Sequence, residues 1–460
     1  MQLQLEDTIC APATATGGAI GVVRLSGPGC YEVLGKVVTL RSSRPLEAGS
    51  VRFGEIPGVD EVLASCFRAP HSYTGEDCVE IGCHGSSYII GRIMTLLCEA
   101  GARPAEAGEF TRRAFLNGRM DLAEAEAVAD LIAAESEYAH RVALGQLRGG
   151  YSAELRGLRD RMLEICSLLE LELDFSEEDL EFADRSELRR LMEEALGRCT
   201  ALADSFRAGN AIREGIPVVI AGEPNSGKST LLNALLGEDR AIVSDIPGTT
   251  RDTVEERIVL DGLEFRFIDT AGIRESSDTV ERLGIGRTLE SIKKAFIVIC
   301  LEDPTVHGYD TPVTDAVRAM TDPSCQKLIT VYGKADLMSG KDSGAEGPAF
   351  GAAGLPAGAL SICAPAGAGL DELRSAIVAA SPTASLHGDT VLVTNARHHA
   401  ALLSAAASLR QALCSLDSGL TADLLAEDVR SAIGSLSSIT GEITSQDILS
   451  TIFQRFCIGK

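Results

Sequence analysis

The sequence predicts a multidomain protein of mixed α/β and all-α character: an N-terminal α/β domain, a helical domain in two parts, and a phosphate-loop α/β domain inserted between those parts. Three observations predict it. The 460 residues exceed one ordinary domain, so about two to four are expected. The apolar stretch Pro217-Val218-Val219-Ile220-Ala221 runs straight into Gly222-Glu223-Pro224-Asn225-Ser226-Gly227-Lys228-Ser229, a phosphate-binding loop between a strand and a helix. Helical periodicity occupies both flanks of that unit. The predicted boundaries are 1–118 for the N-terminal domain, 119–212 and 383–460 for the two helical parts, and 213–382 for the insertion.

Taken in order, Ala19-Ile20-Gly21-Val22-Val23-Arg24-Leu25 and Cys78-Val79-Glu80-Ile81 read as strands, and 88–98 as a helix. Asp121 and Glu124 have capping-box spacing, and the Ala/Leu-rich stretch behind them predicts one helix to about Leu147. A second helix carries Leu155, Leu158, Met162, Ile165 and Leu169 at spacings of three and four. The acidic run Ser176-Glu177-Glu178-Asp179 connects it to a third, over 186–206. Strands then alternate with helices at 218–221, 264–268, 296–301 and 328–331. Residues 339–359, rich in Gly, Ala and Ser, read as a mobile insertion. Helical patterning returns at 400–413 and 424–436. The helical segments before and after the insertion can pack together, leaving the α/β unit as a projecting module.

The phosphate loop points to a nucleoside triphosphate. Two glycines let successive N–H groups curl round a polyphosphate at the positive end of the following helix. The stretch Asn225, Ser226, Gly227, Lys228, Ser229 and Thr230 faces the phosphates; Lys228 reaches the β and γ groups, and the Ser229 hydroxyl ligates magnesium. Gly248-Thr249-Thr250-Arg251-Asp252 offers a second magnesium hydroxyl at Thr250, a contact made only while a γ-phosphate is present. Asp269-Thr270-Ala271-Gly272 ends a strand, with Asp269 on a magnesium-bound water and the Gly272 N–H at the γ-phosphate.

Base choice falls to Gly333-Lys334-Ala335-Asp336. The Asp336 carboxylate can accept from guanine N1–H and the 2-amino group, a donor pair that adenine lacks. Gly333 replaces the Asn of N-K-x-D. It cannot donate to guanine N7 or tie this loop to the phosphate loop, so the expectation is GTP preference with weakened affinity. Cys363-Ala364-Pro365 fills the place of S-A-K, with the Ala364 N–H directed at guanine O6. Ile273 stands where Ras-like enzymes place a water-orienting glutamine, so another residue must orient the water.

Composition narrows the setting. The net charge of −24 makes the surface acidic, which opposes non-specific attraction to nucleic acid. An RNA substrate therefore requires a local basic patch or a basic partner. The thirteen cysteines include no C-x-x-C, which argues against a zinc or redox motif and suits reduced thiols. Without a signal-peptide pattern or an apolar run long enough to span a bilayer, the expected location is cytoplasmic, off the membrane.

Several further motifs surround this site in order: Gly18-Ala19-Ile20-Gly21-Val22-Val23-Arg24-Leu25-Ser26-Gly27, His71-Ser72-Tyr73-Thr74-Gly75-Glu76-Asp77, Gly108-Glu109-Phe110-Thr111, Arg113-Ala114-Phe115-Leu116-Asn117-Gly118, and Phe456-Cys457-Ile458-Gly459-Lys460. With them the whole chain resembles the MnmE (TrmE) family of tRNA modification GTPases. The resemblance implies an N-terminal folate-binding domain that dimerises, a helical domain, and an inserted Ras-like GTPase domain. It also implies a homodimer working with the FAD-dependent protein MnmG to build a carboxymethylaminomethyl or aminomethyl group at C5 of wobble uridine in certain tRNAs. A 5-formyl- or 5,10-methylene-tetrahydrofolate supplies the one-carbon unit, and tRNA is held mostly through the complex.

The same resemblance assigns folate contacts to Arg24, Glu80, Arg119 and Lys460; Arg119 stands where Lys is frequent and could still pair with a glutamate-tail carboxylate. It assigns a part in the modification chemistry to Cys457, and potassium to Asn225, Ser244, Ile246 and Thr249 within Ser244-Asp245-Ile246-Pro247-Gly248-Thr249, where Pro247 departs from the usual Ala. Glu281 becomes the carboxylate that orients water. From the residues alone, Arg24 and Glu80 read as exposed strand charges, Cys457 as a packed thiol and Glu281 as a solvated helix residue. A regulatory GTPase of ribosome assembly is the rival reading. It predicts a basic RNA-binding module, where this chain has acidic helices.

Overall fold

The computed structural model describes residues 7–41, 47–174, 185–237, 255–268, 290–307, 312–338, 356, 358–385, 391–443, 446–454, 456 and 459. The chain divides into two compact units: 1–132 with 144–198 and 404–460, and 133–143 with 199–403. No described helix is long and apolar enough to cross a membrane.

The first unit opens with a sheet of β1 (Ile9–Pro12), β2 (Ile20–Ser26), β3 (Thr39–Leu40), β4 (Val51–Ile56), β5 (Asp60–Phe67), β6 (Cys78–His84) and β7 (Arg103–Pro104), in the order β3-β4-β5-β6-β2-β1-β7. Alternation explains its core. Val23 and Leu25 of β2 and Val79 and Ile81 of β6 point to one face, where they meet α1 (Cys30–Val37) and α2 (Ser87–Glu99). Antiparallel pairing sets Arg24 directly opposite Glu80 on the other face. The helix α3 (Glu109–Leu116) packs Phe110 against Ile9, Ala11 and Ala105.

The helical body begins with α4 (Leu122–Ala133), and its cap forms as the spacing predicts. The Asp121 carboxylate accepts from the Glu124 N–H and the Glu124 carboxylate from the Asp121 N–H, both at 2.9 Å. One expectation needs correction. The helix does not run unbroken to Leu147, because the chain leaves it after Ala133 and restarts as α5 (Glu137–Leu147). Ser136 supplies the new cap, its hydroxyl accepting from the Ala139 N–H at 3.2 Å. Sparse Gly and Pro did not signal that stop, since a serine cap can restart a helix without either.

Next, α6 (Gly150–Asp174) buries Leu155, Leu158, Met162, Ile165 and Leu169 along one stripe, each burial stabilising by about 1.5–3 kcal/mol. It packs against α15 (Ala422–Thr440), so helices far apart in sequence share a core within the first unit. Arg159–Glu442 and Arg430–Glu170 ion pairs reinforce that unit at its surface. The helices α7 (Arg185–Asp204), α14 (Ala396–Asp417) and α16 (Gln446–Phe453) complete the set, and α16 brings Phe453 against Leu122 and Val128. The acidic run 176–179 lies outside the described residues.

The second unit carries β8 (Ile216–Ala221), β9 (Glu256–Leu260), β10 (Leu263–Phe267), β11 (Ile297–Glu302), β12 (Lys327–Tyr332) and β13 (Leu360–Ser361), in the order β13-β12-β11-β8-β10-β9. All pairings are parallel except β9–β10. Both faces are covered, as a doubly wound sheet requires. Val218, Ile220 and Ile299 meet α9 (Lys228–Leu236) and α13 (Leu370–Ala379) on one side; Val219, Val298 and Cys300 meet Ile292 and Val317 on the other. The helix α8 (Phe206–Glu214) leads into β8, and the short α10 (Pro304–His307), α11 (Pro312–Met320) and α12 (Ala335–Met338) follow later strands.

The strand β9 was not expected. Its signal is Asp261-Gly262, whose φ values of 47° and 75° make the tight hairpin turn typical of that pair. The Gly262 carbonyl also accepts from the Tyr138 N–H at 3.1 Å. Of the predicted insertion 339–359, only 356, 358 and 359 are described.

Candidate functional site

The predicted phosphate loop lies at the C-terminal ends of the parallel strands of the second unit. The strand β8 has β10 on one side and β11 on the other. Chain direction thus diverges at its end, where such sheets open a crevice. Backbone shape fixes the loop that follows. Gly222 has a φ of 154°, and a Cβ there would fall 2.1 Å from the Leu301 carbonyl oxygen, so only glycine lets the loop pass this close to β11. Asn225 and Gly227 adopt φ values of 63° and 99°. Successive N–H groups turn inward as they do, and α9 begins at Lys228.

The Lys228 ammonium donates to the carbonyls of Gly222 at 3.0 Å and Glu223 at 2.7 Å, which holds it across the loop. Burial lowers its pKa, with Glu223 acting in the opposite direction. Asn225, Ser229 and Thr230 are exposed at the loop mouth, whereas Ser226 is buried beneath it.

The residues predicted to read the base stand beside this loop, with one change from expectation. Lys334, at a φ of 55°, donates to the Asn225 carbonyl at 3.1 Å and pairs with Asp303 at 2.5 Å. The two loops are therefore tied together despite Gly333, and the tie runs through the neighbouring lysine. Burial raises the Asp303 pKa, but hydrogen bonds from Lys334 and Thr305 outweigh it and hold the carboxyl below its ordinary value. The exposed Asp336 carboxylate accepts from the Cys363 thiol at 3.3 Å, and the Ala335 N–H reaches the Ile362 carbonyl at 3.2 Å. Cys363 thus stands against Asp336, with Ala364 and Pro365 following it. Asp303 was missed; it follows β11 directly, and only the fold brings it to Lys334.

Ser244, Asp245, Ile246, Pro247, Gly248, Thr249, Thr250, Asp269, Thr270, Ala271, Gly272 and Glu281 lie outside the described residues, as do Cys457 and Lys460. Among the described residues no group of three or more His, Cys, Asp or Glu could hold a metal ion.

In the first unit, Arg24 and Glu80 of the remaining predicted residues meet on the sheet face opposite the Val23 and Leu25 side chains. Arg24 donates through Nε to Glu80 at 2.9 Å, and its NH2 stands 2.8 Å from the same oxygen. Its guanidinium lies over the rings of Tyr73 and Phe110, at 5.0 and 5.6 Å. The Gly459 carbonyl accepts from it at 3.5 Å. Arg119 is exposed nearby; its Cγ would be 3.0 Å from a Cβ on Gly75.

Behind them is a charge network that single-residue reasoning missed. Arg113, 1% exposed, contacts Asp7 at 2.5 Å, Glu109 at 3.1 Å and Glu76 at 3.3 Å. Glu76 also accepts from Ser26 at 2.7 Å, and Asn117 donates to the Thr74 carbonyl at 2.8 Å. The motifs 71–77 and 108–118 are thereby bolted to each other. Burial alone would raise the Glu109 pKa, yet hydrogen bonds from Arg103 and the Glu106 N–H hold it below the ordinary value.

Comparison with known proteins completes the picture. Residues 8–119 match the family model described as GTP-binding protein TrmE N-terminus, and 122–457 the model described as MnmE helical domain. The chain is 48% identical over 467 residues to the tRNA modification GTPase MnmE of Bacteroides fragilis, covering 99% of this chain and all of that protein. It is 47% identical to its counterpart in Porphyromonas gingivalis, across 99% of this chain and 98% of that one. Among solved structures, the G domain of the T. maritima FeoB iron transporter matches 36% of this chain and 98% of its own at 25% identity, with a TM-score of 0.23.

Proposed function

Because this chain belongs to the MnmE family of tRNA modification GTPases, and is thus a GTP hydrolase of tRNA modification, we propose that it is a potassium-dependent GTPase acting with an FAD-dependent MnmG partner. The pair installs a carboxymethylaminomethyl or aminomethyl group at C5 of wobble uridine. Tetrahydrofolate supplies the one-carbon unit. The observation that carries the folate half of this reading is the meeting of Arg24, Glu80 and the Gly459 segment on one face of the N-terminal sheet. A carboxylate beside a guanidinium matches the donor and acceptor edges of a pterin, and Arg119 and Lys460 supply cations for the glutamate tail. Cys457 belongs to the same segment and takes part in the modification.

In the GTPase half, Lys228 holds the β and γ phosphates, Ser229 and Thr250 ligate magnesium, and Asp269 and Gly272 sense the γ-phosphate. Asn225, Ser244, Ile246 and Thr249 hold potassium when two GTPase domains meet, and Glu281 orients the attacking water. The division of labour is clear. Hydrolysis drives a switch, while the transfer chemistry belongs to the folate face. With a net charge of −24, tRNA is held mainly by the partner protein in this reading.

Deleting the gene tests it: the C5 modification of wobble uridine disappears from tRNA and returns with the wild-type gene. Cys457→Ser restores GTP hydrolysis but not the modification. Persistent modification in the deletion strain rejects the proposal. Phosphate release is expected to be at least about tenfold faster in potassium than in sodium, the scale of one well-placed transition-state charge. Equal rates remove potassium from the mechanism.

Gly333 offers a separate check. A Cβ there meets Leu301 at 3.4 Å and the Ser226 carbonyl at 3.5 Å, ordinary contacts, so an asparagine fits. Gly333→Asn is expected to tighten GDP up to about tenfold, the worth of one added hydrogen bond. Unchanged affinity in a titration would mean that the Lys334 bridge already makes up the loss.

A further inference from the structure

Beyond α16, Gly459 lies against the N-terminal sheet. Phe456 is buried, with its ring 5.4 Å from that of Phe453. Three residues on, Gly459 has a φ of 99°, in the left-handed region. A Cβ at Gly459 would fall 2.0 Å from the Pro12 carbonyl oxygen, 3.0 Å from the Pro12 carbonyl carbon and 3.3 Å from the Ala13 Cα. All three are backbone atoms at the end of β1, so no side chain can swing aside to make room. From this position the Gly459 carbonyl accepts from Arg24 at 3.5 Å. The same guanidinium is held by Glu80 on its other edge and by Tyr73 and Phe110 across its faces. Tyr73 is fixed in turn by Thr111, oxygen to oxygen at 2.8 Å.

We propose that Gly459 is a positioning residue: the absence of a side chain lets its backbone lie against Pro12 and set its carbonyl on Arg24, which orients that guanidinium for a folate-class ligand. The orienting role rests on the folate reading above; the seating of the segment does not. Any side chain at 459 meets two obstacles at once, steric overlap with β1 and a backbone conformation that L-residues rarely adopt. The chain at 459 must then move away from β1, and among the described residues Arg24 keeps Glu80 as its acceptor.

The test compares full-length wild type with Gly459→Ala and with Gly58→Ala. Gly58 has a φ of 72° but nothing within 4 Å of its Cβ position, so that variant carries the backbone strain without the overlap. Three quantities are read: the dissociation constant for 5-formyltetrahydrofolate, the rate of trypsin cleavage between Arg455 and Phe456, and GTP turnover. Gly459→Ala is expected to weaken folate at least tenfold and to speed cleavage at least tenfold, with GTP turnover unchanged and Gly58→Ala like wild type in all three. Unchanged folate affinity in Gly459→Ala overturns the proposal, whether or not cleavage speeds up. If wild type itself binds no folate, the folate reading and the orienting role fall together, while faster cleavage in Gly459→Ala upholds the seating alone.

Discussion

Lys228→Ala is expected to reduce GTP turnover by at least about 10²–10³-fold, the usual cost of removing one preorganised charge from a phosphoryl-transfer site. The argument is geometric. The ammonium is held over the loop by the Gly222 and Glu223 carbonyls at 3.0 and 2.7 Å, at the positive end of α9. There it is the cation of the loop itself, placed where β and γ phosphates would lie. Its loss should leave the fold intact, because the loop's shape comes from Gly222, Asn225 and Gly227 and from the Lys334 bridge. Phosphate release at saturating GTP measures the effect, and thermal unfolding checks that the protein remains folded. Turnover above about a tenth of wild type would place the catalytic charge elsewhere.

Arg113→Met should be the most damaging change in the N-terminal unit. It removes a cation 1% exposed from among Asp7, Glu76 and Glu109, and Glu109 is itself 1% exposed. Deleting one partner of a fully buried ion network costs about 3–5 kcal/mol; Glu109 stays buried, whereas Asp7 at 26% and Glu76 at 13% exposed keep access to water, so the loss is expected toward the lower end of that range. Urea denaturation followed by a probe in the N-terminal unit would read this as an earlier transition. The pH dependence has a definite sign. Burial works to raise the pKa values of Asp7 and Glu109, but hydrogen bonds from Arg103 and Arg113 leave both below their ordinary values. In wild type their contribution is therefore full above the unfolded carboxylate range and is lost as pH falls through the depressed folded values, below about 4. In the variant, protonation relieves carboxylate repulsion instead. The deficit against wild type should shrink on going from pH 7 to pH 4. A deficit that stays constant would mean that packing, and not charge, is what Arg113 provides.

How much was legible depended on the distance between cause and effect along the chain. The Asp121–Glu124 cap, the stripe from Leu155 to Leu169 and the loop Gly222–Ser229 are each written in contiguous residues and formed as read. The Asp261-Gly262 turn was equally local and was overlooked. The Ser136 restart belongs to the same class, because a hydroxyl cap competes with helix propagation without a Gly or Pro to mark it. By contrast, Gly333 suggested that two loops were untied, and the structure tied them with Lys334. Nothing local says that a lysine on one loop will meet the Asn225 carbonyl on another.

By itself, then, the sequence determined the phosphate loop and the family. These follow from backbone preferences, hydrogen-bond chemistry and periodicities that short stretches carry alone. Only the tertiary structure decided how the outer face of the N-terminal sheet is furnished. Strand register sets Arg24 opposite Glu80, and a segment 435 residues further on delivers the Gly459 carbonyl to the same guanidinium. Arg113 likewise joins motifs that the sequence presents as separate. Such contacts come from which surfaces remain to be buried once local elements exist. That quantity belongs to the packed chain and to no window along it.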